Sequence, residues 1–144
     1  MTGLSWAVGR RVAVVAIASA AALTVIPAVA SAAIKEADCN ADGQWFRTDT
    51  FYTAATSGQW HVSQAQLTLE SNTSTRNNAL YHVRGENSDR TYYAWRSGDN
   101  FPGKQTVPIK VDTWVPRNDK VYVQGWVNAD QTVDSKCWTP RRYL

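Results

Sequence analysis

The stretch TVPIKVDTWVPRNDKVYVQGWVN, residues 106–128, decides the fold. In its first half Val107, Ile109, Val111 and Val115 share one parity, while Pro108, Lys110, Asp112 and Trp114 share the other. That period of two belongs to a strand with one face in a core. Pro116-Arg117-Asn118-Asp119 has turn chemistry. The alternation then resumes, with Val121, Val123 and Val127 against Tyr122, Gln124, Trp126 and Asn128. Read as a hairpin with its valine faces together, the stretch pairs Val115 with Val121, Val111 with Gly125 and Ile109 with Val127. The opposite face then sets Trp114 across from Tyr122 and Lys110 across from Trp126, an aromatic pair and a cation–π pair.

The same period recurs outward from this stretch. It predicts strands near 44–55, 60–70, 79–85, 91–96, 105–115, 120–128 and 135–140, separated by clusters of Gly, Pro, Asn, Asp and Ser. Residues 33–38 read as a short polar leader. In the second strand Trp60 and Val62 have one parity and Ala65, Leu67 and Leu69 the other, which calls for a bulge near Ser63-Gln64. A hairpin through 71–78 would join the second and third strands, leaving His61 and His82 far apart. Inward placement of Cys137 opposite Val127 in the last strand sets Trp126 opposite Trp138.

The N-terminus has a different character. Arg10-Arg11, an Ala-rich apolar run to Val29 interrupted by Pro27, and Ala30-Ser31-Ala32 together read as a secretory signal peptide over residues 1–32. A single extracellular domain, residues 33–144, remains after cleavage, with no membrane segment. Of fifteen basic residues in the chain two fall in the signal, leaving thirteen against twelve acidic, a net charge of +1. Without a dense Lys/Arg stripe, the electrostatic footprint of nucleic-acid binding is missing. Export and an even cysteine count predict one disulfide, Cys39–Cys137, closing a loop of about 100 residues. No CxxC and no zinc-like Cys/His spacing occur, so neither metal nor cofactor is expected.

These readings give an all-β domain: a small immunoglobulin-like β-sandwich of about seven antiparallel strands with one terminal disulfide, a small β-barrel being the alternative. The resemblance to extracellular immunoglobulin-like sandwiches lies in strand number and size. The cysteines depart from that pattern, since the bond ties the N-terminal leader to the last strand.

Function rests on the outer aromatic row Trp114, Tyr122, Trp126 and Trp138, with Lys110 beside it. Rigid rings on an open sheet face suit a protein interface or a carbohydrate platform; ring ladders also stabilise sheets with no ligand at all. Catalytic sets are wanting: there is no GxSxG, and the acidic residues are scattered among the loops. Small secreted microbial ribonucleases are similar in size and in their end-to-end disulfide, and Tyr81, His82, Arg84 and Glu86 resemble a fragment of their Glu, Arg and His set. A second histidine near the C-terminus is absent. The sequence therefore reads as a secreted, non-enzymatic binding or adaptor module with an extracellular protein partner. Polysaccharide is the alternative ligand, and inhibition of a secreted hydrolase a further alternative.

Overall fold

The computed structural model describes residues 32–55, 57–70, 74, 76–130 and 135–144. The signal peptide read over residues 1–32 thus lies, but for Ala32, outside the described residues. Nine strands occur among those described: β1 (Ala33–Ala41), β2 (Gln44–Ala54), β3 (Gln59–Leu69), β4 (Asn78–Gly85), β5 (Thr91–Arg96), β6 (Thr106–Pro116), β7 (Val121–Ala129), β8 (Ser135–Trp138) and β9 (Arg142–Tyr143). One turn of 3-10 helix, Arg117–Asp119, stands between β6 and β7. All pairings are antiparallel. They build a first sheet in the order β1-β2-β3-β6 and a second in the order β5-β4-β7-β8, with β9 also on β7.

The sheets bury a shared core. Phe46, Val62, Leu67, Leu69 and Val115 come from the first sheet, and Tyr81, Val83, Val123 and Val127 from the second. Tyr81 also buries its phenol, whose oxygen lies 2.9 Å from Thr50 Oγ1. This contact satisfies both hydroxyl groups inside the core, where an unmet donor would cost about 1–3 kcal/mol. At Gly125 the second sheet packs directly against Phe46 and Thr48 of the first. A β carbon there would stand 2.9 Å from Phe46 Cε1 and nearer still to Thr48 Cγ2.

The disulfide Cys39–Cys137 is present, with its Cα atoms 6.0 Å apart. It joins β1 to β8 and so ties one sheet to the other. The bulge read at Ser63-Gln64 is also present, as a register shift between Val62 and Gln64. Ser63 Oγ donates to the Phe51 carbonyl there at 3.2 Å.

Three expectations are corrected. The leader at 33–38 is part of β1, whose inward positions Ala37, Cys39 and Ala41 are too small to produce a visible apolar alternation. The 105–115 and 120–128 strands do not form a hairpin: β6 pairs with β3, and β7 pairs with β4 and β8. Both valine faces do point inward, but from opposite sheets, because the Arg117–Asp119 turn carries the chain across the sandwich. Alternation fixes which face is buried and leaves the partner open. The same reason undoes the predicted hairpin of β3 with β4, which also lie in different sheets.

The crossing turn is held from the side. Lys120 takes the left-handed conformation that ends it, at φ 49°. The Asp119 carboxylate accepts from Ser88 N at 2.8 Å, Ser88 Oγ at 2.5 Å and Tyr92 Oη at 2.5 Å. Those bonds, Ser88 first and Tyr92 second, hold its pKa below the usual aspartate value. The link from the β6–β7 crossing to the β4–β5 loop fixes where β7 enters the second sheet.

Candidate functional site

On β7 the inward parity is Val121, Val123, Gly125 and Val127, which leaves Tyr122, Gln124, Trp126 and Asn128 outside. β4 turns Ala79, Tyr81 and Val83 inward and Asn78, Leu80, His82 and Arg84 outward. Register brings these outer residues together: Leu80 faces Trp126, Trp126 faces Trp138, His82 faces Gln124 and Tyr122 faces Tyr143. The expected pairs Trp126–Trp138 and Val127–Cys137 are therefore present.

An aromatic cluster results, in which Trp138 and Tyr143 are exposed, Trp126 is half-buried, and Tyr122 and His82 are buried beneath their neighbours. Trp126 and Trp138 lie 6.1 Å apart at 44°, His82 packs 5.9 Å from Trp138 and 5.8 Å from Tyr122, and Tyr143 lies 6.0 Å from Tyr122. Arg141 lies over the Tyr122 ring at 4.6 Å. Beside the tryptophans opens a pocket of about 400 Å³ lined by Asn78, Ala79, Leu80, Arg96, Gly98, Trp126 and Trp138. Trp138 is 51% exposed although it stands in a sheet.

Polar groups on this face lack partners. Among the described residues, four buried side-chain polar atoms have no hydrogen bond, and three belong here: His82 Nε2, Arg84 Nε and Asn128 Oδ1. Asn128 pairs across the strands with Asn78 of the pocket wall.

The His82 pKa is lowered to about 4. Burial is the largest cause and Arg84 the next; a hydrogen bond with Gln124 opposes them, and Arg141 adds a smaller repulsion. An unfolded histidine titrates at 6.5, so between pH 6.5 and about 4 the unfolded chain takes up a proton that the folded chain refuses. Stability is complete above that interval and is lost as pH falls through it. With solvent screening at the sheet surface allowed for, the expected loss between pH 7 and 5 is about 1–2 kcal/mol. Urea unfolding at the two pH values should detect it, and His82→Gln should flatten the difference.

Trp114 and Lys110 lie elsewhere. Both are on the outer face of the first sheet, so Trp114 is not opposite Tyr122, nor Lys110 opposite Trp126. Trp114 is 52% exposed and stacks on His61, with ring centroids 4.4 Å apart and planes at 18°. His61 Nε2 meets Asp112 Oδ1 at 3.0 Å, and Lys110 approaches the same carboxylate at 3.6 Å. His61 first and Lys110 second lower the Asp112 pKa. The aromatic row thus divides into Tyr122, Trp126 and Trp138 on one sheet and Trp114 on the other.

Of the residues of the ribonuclease comparison, His82 and Arg84 share the outer face of β4 and the other two lie apart from them. Tyr81 faces the core, His82 lies under rings, and Glu86 accepts from the Tyr143 hydroxyl and pairs with Lys120 at 3.2 Å. Asn78, Leu80, His82, Arg96 and Tyr143 belong to the second-sheet face and escaped the sequence reading. The outward parity of Leu80 and His82 was visible; their partner strand was not. Comparison of the chain with family models, with curated proteins and with solved structures gives no match.

Proposed function

We propose that the domain is a secreted, non-enzymatic binding module that holds a polysaccharide on the outer face of its second sheet. The pocket between Trp126, Trp138, Leu80 and Arg96 carries the reading. A sugar ring presents C–H groups to an aromatic face and hydroxyl groups at its edge. Here two tryptophans supply the faces, and Asn78, Arg96 and Asn128 stand beside them with hydrogen-bonding capacity. A protein interface would be served as well by a flat surface, whereas the opening here is concave and of the size class of a small ligand site.

An immunoglobulin-like assignment is part of this proposal. The orders β2-β3-β6 and β5-β4-β7-β8 resemble the A-B-E and C′-C-F-G arrangement of such sandwiches, with β1 as an additional outer strand. The inter-sheet disulfide is compatible with an extracellular location.

Affinity electrophoresis in gels containing soluble polysaccharides tests the reading. Trp126→Ala and Trp138→Ala should each weaken retention by roughly tenfold, about 1.4 kcal/mol. Because Trp138 is 51% exposed, its variant should keep a thermal midpoint near that of the parent. If no polysaccharide retards the domain, and one stoichiometric protein is instead recovered with it in a Trp138-dependent way, the face is a protein interface and the proposal falls.

A further inference from the structure

The two outer faces differ in charge. The outward positions of β1, β2 and β6 carry Glu36, Asp38, Asp49 and Asp112 beside Arg47 and Lys110. Several of these charges answer one another: Arg47 reaches Glu36 at 2.8 Å and Asp49 at 2.9 Å, and Lys110 reaches Asp112 at 3.6 Å. The outward positions of β4, β5, β7 and β8 carry Arg84, Arg96 and Lys136 and no acidic residue.

Arg84 is engaged by Asp89 at 2.5 Å. Arg96 and Lys136 have no ion pair among the described residues, and Arg141 lies over the Tyr122 ring within electrostatic reach of Glu86. Arg96 is the important one, because it is exposed and forms part of the pocket wall. No carboxylate lines that pocket. Asp99, nearest to Arg96 in sequence among the acidic residues, is held by Arg76 at 3.5 Å and Asn78 at 3.2 Å.

A guanidinium with no ion pair among the described residues, set in the wall of an aromatic pocket, selects an anion that comes attached to something flat enough to stack. A carboxylate on a pyranose meets both conditions. It lies at the ring edge, so the ring can cover a tryptophan while the two oxygens reach the guanidinium fork. We infer that the pocket takes a uronic-acid unit of an acidic polysaccharide, with its ring on Trp126 and Trp138 and its carboxylate on Arg96. This inference rests on the saccharide reading above and adds the charge of the ligand. Lys136 and Arg141, on the same face, extend the positive surface toward neighbouring units of the polymer.

The test compares each uronate polymer with its own neutral methyl ester, which keeps the rings and removes the charge. Polygalacturonate, alginate and hyaluronate supply three linkages, with binding read by affinity electrophoresis of the intact oxidised domain. At least one acid form should bind roughly tenfold more tightly than its ester. Arg96→Gln should remove that preference, so that acid and ester bind alike, while Lys110→Gln, an equal loss of charge on the opposite face, should leave the preference in place. Equal weakening by Arg96→Gln and Lys110→Gln would assign the effect to overall charge and overturn the inference. Trp126-dependent binding of neutral polymers alone, or of acid and ester alike with Arg96→Gln inert, would overturn it and leave the saccharide reading standing. Binding to no polysaccharide would remove both.

Discussion

Replacing Cys39 and Cys137 together with alanine is expected to lower the stability of the domain by about 4–5 kcal/mol, the largest loss available to a change at one site. The bond spans 98 residues, nearly the whole of the described domain, so its removal restores to the unfolded chain most of the freedom that a single cross-link can withhold. Domains of this size have only about 5–15 kcal/mol in hand. The loss has a native-state part as well, since the bridge fastens β1 to β8 across the sandwich. Urea unfolding of the oxidised parent and the double variant measures it, and reduction of the parent should give a similar value. The single variants Cys39→Ala and Cys137→Ala should match each other. A double variant within about 1 kcal/mol of the parent would show that the unfolded chain stays compact without the bond.

Gly125→Ala should cost about 3 kcal/mol, at the upper end for the addition of one methyl group to a packed interior. Its β carbon would meet Phe46 and Thr48 of β2, which are 0% and 1% exposed, so neither side chain has open space to move into. The β carbon cannot rotate away because the backbone places it, and the strain must be met by separating the sheets. Gly58→Ala provides the contrast. Gly58 has φ +73° and nothing within 4 Å of its missing β carbon, so its variant should cost only about 1 kcal/mol of left-handed strain. Denaturant midpoints with unchanged m-values would separate the two effects. Equal losses would mean that the sheets at Gly125 can part without penalty.

The β class, the bulge at Ser63-Gln64, the disulfide and the Trp126–Trp138 pair were legible because each depends on local alternation or on cysteine count. Strand partners were not. Val115 and Val121 both point inward, and the five residues between them read equally well as a hairpin turn or as a crossing between sheets. The crossing depends on Ser88 of the β4–β5 loop and Tyr92 of β5, which grip Asp119 from the side. Nothing in residues 106–128 announces that grip. The candidate face suffered for the same reason. Tyr122, Trp126 and Trp138 were found from one strand pair, whereas Leu80, His82 and Arg96 join them only through β4–β7 and β4–β5 pairing. Trp114 shares their outward parity and stands on the opposite side of the molecule.

The crossing between β6 and β7 also governs how the chain reaches this arrangement. β3 must find β6, with partners such as Thr68 and Thr106 at one end and Gln59 and Pro116 at the other, and no short hairpin brings them together. Such topologies fold in milliseconds to seconds because loop closure precedes most of the favourable contact. In an oxidising compartment the two cysteines can meet an oxidant during that search. The sequence holds two cysteines, Cys39 and Cys137, so early oxidation has no wrong intramolecular partner to trap. It draws β1 and β8, one from each sheet, toward each other before the sheets exist, so the bond that stabilises the finished domain also shortens the conformational search that produces it.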